Sequence, residues 1–239
     1  MDPNESDTDS GSKKKTSSST LVTDRVEAKL PHFAASPIIT ISVGQEKATY
    51  RIHKDVLVVN STFFAKMFVS GMIEAQTNEV YFPEDCPEVF EQFASWIYRP
   101  LEETRPYEYD DSIRTLKCWA FADKFGIPLW QDQLMKNIME YWSNYRLSFH
   151  DISWVLNNVS NMTALYKLAV DQFAWELEIA PGRLEEAEPL LLMHDFPILR
   201  FICQLLSICN REDRMVPSPA SRLGCKYHVH SEGTPCPVR

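Results

Sequence analysis

Glycine is scarce in this sequence, with seven residues in 239. None of the seven falls into a G-x-G-x-x-G, G-x-x-x-x-G-K or G-x-S-x-G pattern, and these are the short motifs that cradle phosphates or expose a nucleophilic serine. Cys118 and Cys203 lie in apolar helical patterns without a His-Asp pairing nearby, which is typical of inert cysteines. We therefore expect no enzymatic activity, and no cofactor is implied apart from the metal considered below.

Long apolar runs are also missing. No run approaches the length of about 18 residues that a membrane-spanning helix needs, and residues 1–15 lack the apolar stretch of a secretory signal. The six cysteines are scattered, unlike the disulfide framework of a small secreted domain. We expect a protein of the cytoplasm, the nucleus or both, with no membrane as a partner.

Positive charge is in deficit, with 24 Lys and Arg against 33 Asp and Glu and a formal net charge of −9. Affinity for phosphate backbones depends on Lys and Arg releasing counterions, so nucleic acid is not expected as a partner. What the chain does have is apolar material. Hydrophobic residues make up 44% of it, which is enough for one sizeable core or two small ones.

Composition divides the chain into five parts. Residues 1–20 are too polar to offset the entropy of ordering, and we expect a disordered tail. Residues 21–36 contain a possible helix and a linker, and residues 37–142 form the main folded domain. Residues 143–212 continue with helical periodicity, and residues 213–239 are a proline-rich tail that contains cysteine and histidine.

Strand and helix patterns alternate within residues 37–142. Apolar and polar residues alternate over 39–43 and 48–53, which predicts a β-hairpin, and residues 79–82 predict a third strand. Ser61 is placed to cap a helix, and Gly126-Ile127-Pro128 is placed to separate two others. The apolar positions of the four predicted helices are Phe64, Met67 and Phe68; Phe90, Phe93 and Ile97; Leu116, Trp119, Ala122 and Phe125; and Trp130, Leu134 and Ile138.

Five segments in this order resemble the BTB/POZ family. They are IHKDVL at 52–57, STFFAKMF at 61–68, EVYFPED at 79–85, the run from Phe90 to Tyr98, and ADKFGIP at 122–128. The resemblance implies an α+β fold, in which a short three-stranded sheet is capped by a cluster of helices and followed here by a C-terminal all-helical extension. The whole arrangement, with its Cys/His-containing tail, resembles the stand-alone BTB proteins of filamentous fungi.

The same resemblance implies protein binding. BTB domains commonly form dimers, and many are substrate adaptors that dock on a cullin scaffold of ubiquitin ligases through a hydrophobic-x-Glu motif. Met72 and Glu74 stand at the matching position and are the candidate cullin contacts. A three-residue pattern also arises by chance, so the alternative is a BTB scaffold that recruits no ligase, in a nuclear, transcription-linked setting. No motif identifies the client protein.

A homodimer is the favoured assembly. Leu21, Val22, Val26 and Leu30 are spaced like one face of a short helix that ends before Pro31. An exposed apolar face there would need a partner, and these four residues are the candidate dimer contacts. The alternative is a short helix that folds back on its own domain.

The C-terminal tail concentrates side chains that bind metals. Cys225, His228, His230 and Cys236 fall within twelve residues, and thiolate with imidazole suits a closed, tetrahedral structural zinc site. The spacing Cys-x2-His-x-His-x5-Cys is not that of a standard zinc finger. Two interpretations stay open at this point, a structural zinc site and an ordinary flexible tail.

Overall fold

The computed structural model describes residues 35–70, 73–100, 112–192, 196–197, 201–203, 206, 217–222, 224–230 and 235–236. The candidate dimer contacts Leu21, Val22, Val26 and Leu30 lie outside these residues, and so does the candidate cullin contact Met72. The four candidate metal ligands and Glu74 lie within them.

A three-stranded sheet forms from β1 (Ile38–Val43), β2 (Ala48–His53) and β3 (Glu79–Phe82), in the order β2-β1-β3. β1 runs antiparallel to β2, with Ile39 opposite Ile52, and parallel to β3, with Ile41 opposite Val80. Every second residue of β1 is buried, as the two-residue period of a strand requires. The predicted hairpin and third strand are confirmed.

Helices make up most of the remaining described chain. Their bounds are α1 (Lys54–Asn60), α2 (Thr62–Val69), α3 (Ile73–Thr77), α4 (Pro87–Ile97), α5 (Ser112–Lys124), α6 (Pro128–Asn144), α7 (Phe149–Asn158), α8 (Ala164–Ile179) and α9 (Leu184–Leu191), with 3-10 turns at Pro181–Arg183 and Pro219–Ser221. α2 begins where Ser61 Oγ accepts a hydrogen bond from the Phe64 N–H at 3.2 Å, and α6 begins at a proline, which needs no N–H partner there. The α+β class with a helical C-terminal region is confirmed.

One hydrophobic cluster joins the sheet to the C-terminal helices. Phe64 stacks on Phe93 and on Phe125, with ring centroids 6.3 and 5.7 Å apart. The cluster continues through Trp119 and reaches Phe173 of α8. The aromatic stripes that the sequence places on helices are therefore core. None of the helices in the described residues has the length and apolar character needed to span a bilayer.

The C-terminal segment, here meaning the described residues between 217 and 236, packs against α6 and α8. Tyr227 is 2% exposed and Ala220 is 5% exposed, and both belong to the same hydrophobic cluster. The backbone N–H of Ala220 donates to Gln172 Oε1 of α8 at 3.1 Å. This differs from an ordinary flexible tail, because one buried aromatic ring and paired backbone groups anchor the segment to the domain.

Candidate metal centre and protein-binding residues

The structure brings the four Cys and His side chains of the C-terminal segment together. One ligand atom from each of Cys225, His228, His230 and Cys236 lies within 4.8 Å of the others. His228 Nδ1 is 3.0 Å from Cys236 Sγ, and the two imidazole rings have centroids 5.8 Å apart. A turn brings Cys225 and His228 close together, because the His228 N–H donates a hydrogen bond to the Cys225 carbonyl at 3.2 Å.

These distances suit a small, soft-to-borderline cation. Ligand atoms around a tetrahedral zinc are about 3.3–3.8 Å apart, given Zn–N and Zn–S bonds of about 2.0 and 2.3 Å. The ligand atoms of the four residues lie within 4.8 Å of one another, which is about 1 Å more than that separation. Two thiols and two imidazoles are also a donor set that zinc accepts in structural sites. The residues present therefore fit zinc.

A buried carboxylate from α6 lies directly behind the histidines. Asp132 is 1% exposed, and its Oδ1 accepts a hydrogen bond from the backbone N–H of Val229 at 2.7 Å. Val229 stands between the candidate ligands His228 and His230 in the chain, so this bond fixes the backbone that carries both imidazoles.

Burial and the charge of the neighbouring group act in opposite directions on the pKa values of Asp132 and His228. Burial raises the pKa of Asp132, and the hydrogen bond from Val229 and the nearby His228 and His230 oppose part of that rise. Burial also lowers the pKa of His228, against the negative charge of Asp132, and the neighbouring His230 adds to the lowering. The lowered pKa favours the neutral imidazole, which is the form that binds a metal.

A second carboxylate, from α8, anchors the same segment one residue before His228. Asp171 is 2% exposed, and its Oδ2 accepts a hydrogen bond from the Tyr227 hydroxyl at 2.9 Å and pairs with Lys226 Nζ at 3.0 Å. Because α6 and α8 each contribute one of these carboxylates, two separate helices hold the candidate metal centre in place.

Sequence reasoning missed both carboxylates. A signal for Asp132 was present, because Asp132, Met135, Met139 and Trp142 recur at i, i+3, i+7 and i+10 along α6. A carboxylate in line with an apolar stripe is expected to be buried, and a buried carboxylate needs a partner. The identity of that partner, 97 residues away in the chain, leaves no local pattern.

Among the candidate protein-binding residues, Glu74 is the one that lies within the described part of the chain. Glu74 is half-buried in the first turn of α3. Within the described part of the BTB-like region, α1 and α2 expose apolar side chains, since Val59 is 71% and Val69 is 86% exposed. The sequence patterns did not single out either valine. The apolar periodicity of a helix marks the positions that are buried, and it gives no sign that an apolar residue between them is exposed.

Comparison with known proteins agrees with the fold. Residues 39–140 match the family model of the BTB/POZ domain. A BTB/POZ domain-containing protein of Arabidopsis thaliana is 26% identical over 129 residues, which cover 53% of this chain and 15% of that protein. This chain thus matches a small part of that relative's length. Residues 39–140 are a BTB/POZ domain, which is a protein–protein interaction module.

Proposed function

We propose that this protein is a non-enzymatic interaction protein of the cytoplasm or nucleus that forms homodimers through its BTB/POZ domain. The observation that carries the proposal is the exposure of Val59 on α1 and Val69 on α2, at 71% and 86%. Burying apolar surface of this kind against a second copy removes it from water, at roughly 25 cal/mol per Å². Leu21, Val22, Val26 and Leu30, which the sequence pattern predicts to share one helix face, would add to the same association.

Light scattering after size-exclusion chromatography tests the dimer. The chain has a mass of 27.6 kDa, and we expect the full-length protein to elute with twice that mass. A Val59→Glu/Val69→Glu variant should shift to the monomer, because burying a charge without a partner opposes association. Met162→Glu is the control, since Met162 is 75% exposed but lies outside the BTB/POZ domain. A monomeric wild type would overturn the proposal.

A second candidate function is that of a substrate adaptor on a cullin-based ubiquitin ligase. Its support is the Met72-Ile73-Glu74 motif, which begins three residues after the last residue of α2, together with the position of Glu74 in the first turn of α3. In this role Met72 fills an apolar pocket of the cullin, Glu74 makes a polar contact, and the client protein binds elsewhere on the chain.

A pull-down with a cullin N-terminal domain tests the adaptor role. We expect wild type to be retained and Met72→Ala/Glu74→Ala to be lost. Glu88→Ala is a matched control, because Glu88 is also a first-turn glutamate, on α4. If the wild type is not retained, or if the double variant is retained as well as the wild type, the adaptor role is excluded. The protein is then a BTB scaffold that recruits no ligase.

A structural zinc ion bound by Cys225, His228, His230 and Cys236 completes the proposal. Four protein ligands fill a tetrahedral shell, so no position stays open for a substrate, and the ion would hold the C-terminal segment against the domain. Metal analysis of untagged protein should give about one equivalent of zinc. Cys225→Ser/Cys236→Ser should give almost none, whereas Cys203→Ser, which changes an exposed cysteine elsewhere, should keep it. Wild type without zinc would exclude the site.

A further inference from the structure

We infer that Asp132 of the BTB/POZ domain is the positioning residue of the zinc centre, with its carboxylate as the outer-shell acceptor for the histidine ligands. The inference rests on the proposed zinc site. It makes α6 a structural part of the metal centre, although Asp132 itself coordinates nothing.

The two oxygens of Asp132 are in different situations. Oδ1 accepts the Val229 N–H at 2.7 Å, whereas Oδ2 is buried and has no hydrogen-bond partner among the described residues. A buried carboxylate oxygen without a partner costs free energy, so a donor is expected beside it in the working protein. Asp132 is 1% exposed, which leaves little room for solvent to be that donor.

The histidines supply a donor of the right kind once a metal is bound. A neutral imidazole that coordinates through one nitrogen carries its proton on the other, and that N–H typically donates to a carboxylate, which fixes the tautomer and the ring orientation. His228 turns Nδ1 toward Cys236 Sγ, 3.0 Å away, so Nε2 is the nitrogen left to carry the proton. The charge of Asp132 acts on both His228 and His230.

Asp171 provides the matched comparison within the same chain. It is as deeply buried as Asp132 and it anchors the same segment, but it does so through Lys226 and Tyr227, neither of which is a ligand. A carboxylate that only docks the segment and a carboxylate that orients the ligands therefore occur side by side and can be separated by experiment.

The test compares Asp132→Asn and Asp171→Asn in the full chain loaded with zinc or cobalt. Asparagine at 132 keeps an oxygen for the Val229 N–H but replaces the second oxygen by a donor, so the docking bond survives and the outer-shell acceptor is lost. We expect the zinc affinity of Asp132→Asn, measured by competition with a chromophoric chelator, to fall about 10–100-fold. The cobalt ligand-field bands should shift in Asp132→Asn and stay unchanged in Asp171→Asn.

The outcomes separate the two proposals. Wild type that binds no zinc refutes the metal site itself. Wild type that binds zinc, with Asp132→Asn unchanged in affinity and in cobalt spectrum, refutes the role of Asp132 alone. If the variant does not fold, long-range 1H–15N spectra of zinc-loaded wild type decide the question. A slowly exchanging ring N–H on His228 or His230 is expected, and ring protons that exchange as freely as those of a solvated imidazole would overturn the inference.

Discussion

Glu176 and Arg183 form an ion pair that ties three parts of the C-terminal half together. Arg183 Nη1 lies 2.6 Å from Glu176 Oε2, with side chains 12% and 3% exposed. Glu176 Oε1 accepts hydrogen bonds from the Leu147 N–H at 2.8 Å and from Gln172 Nε2 at 3.0 Å. The carboxylate is therefore fully paired, and its neighbours depend on its charge.

Removing the arginine should be costly. Arg183→Ala leaves the charge of Glu176 buried without its cation, and breaking a buried pair in this way costs about 3–5 kcal/mol of unfolding free energy. Urea denaturation measures the loss. Lys124→Ala is the control, because the Lys124–Asp85 pair has its lysine 54% exposed and should contribute at most about 1 kcal/mol. Equal losses in the two variants would contradict the assignment of Glu176 to a buried network.

Ser61 shows how far a single residue can be interpreted from sequence. Its role as the cap of α2 was predicted from the residue type and its place before an apolar pattern, and it is confirmed. Its hydroxyl also donates to the Phe125 carbonyl at 2.6 Å. That second bond spans 64 residues of sequence, so no helix or turn pattern encodes it.

At the scale of elements, Gly126 sets the junction between α5 and α6. Its φ is +59°, and a Cβ at this position would collide with Thr62 Oγ1 of α2. The Thr62 N–H donates to the Gly126 carbonyl at 3.0 Å, so the backbone of this junction lies directly against the start of α2. The sequence predicts the break between the two helices, but the close approach to α2 follows only from the packing.

Gly126→Ala should therefore destabilise the domain through two effects. The left-handed conformation costs a residue with a Cβ about 1–2 kcal/mol of unfolding free energy. The shift in structure that is needed to avoid the collision with Thr62 adds to that loss. Thermal and urea unfolding both measure it. Gly182→Ala is the control, because its φ is ordinary and a Cβ there would meet no atom of the described residues within 4 Å. The change at 182 should be neutral or slightly stabilising. If Gly126→Ala left the unfolding free energy unchanged, the close packing of Gly126 against Thr62 would be contradicted.

Element patterns explain why the sheet and the first helices were predictable and the docking of the C-terminal segment was not. Strand alternation and helical periodicity reflect burial against neighbours within the BTB/POZ domain, as in β1 and α4. Tyr227 is buried by contacts with residues far away in the chain, with Asp171 at a separation of 56. A tyrosine in a short polar segment carries no periodicity, so its burial is visible only in the folded chain.

At the scale of the whole molecule, a zinc ion in the C-terminal segment would stabilise more than the segment itself. The segment packs on α6 and α8 and shares the hydrophobic cluster of the domain through Tyr227 and Ala220. Because one continuous cluster tends to unfold as a unit, a ligand that binds only the folded state raises the stability of the entire unit. A metal bound in the C-terminal segment would then contribute to the stability of the BTB/POZ domain as well.

Removal of zinc should accordingly lower the melting temperature of the full chain. A ligand at about 1,000 times its Kd contributes about 4 kcal/mol, and each kcal/mol shifts the Tm of a domain of this size by about 2–4 °C. Differential scanning calorimetry with and without EDTA should show a single transition that moves down by about 8–16 °C. Cys225→Ser/Cys236→Ser should melt near the temperature of the EDTA-treated wild type, and addition of EDTA should not change its melting temperature. Two separate transitions, with only the smaller one sensitive to EDTA, would show instead that the C-terminal segment unfolds independently of the BTB/POZ domain.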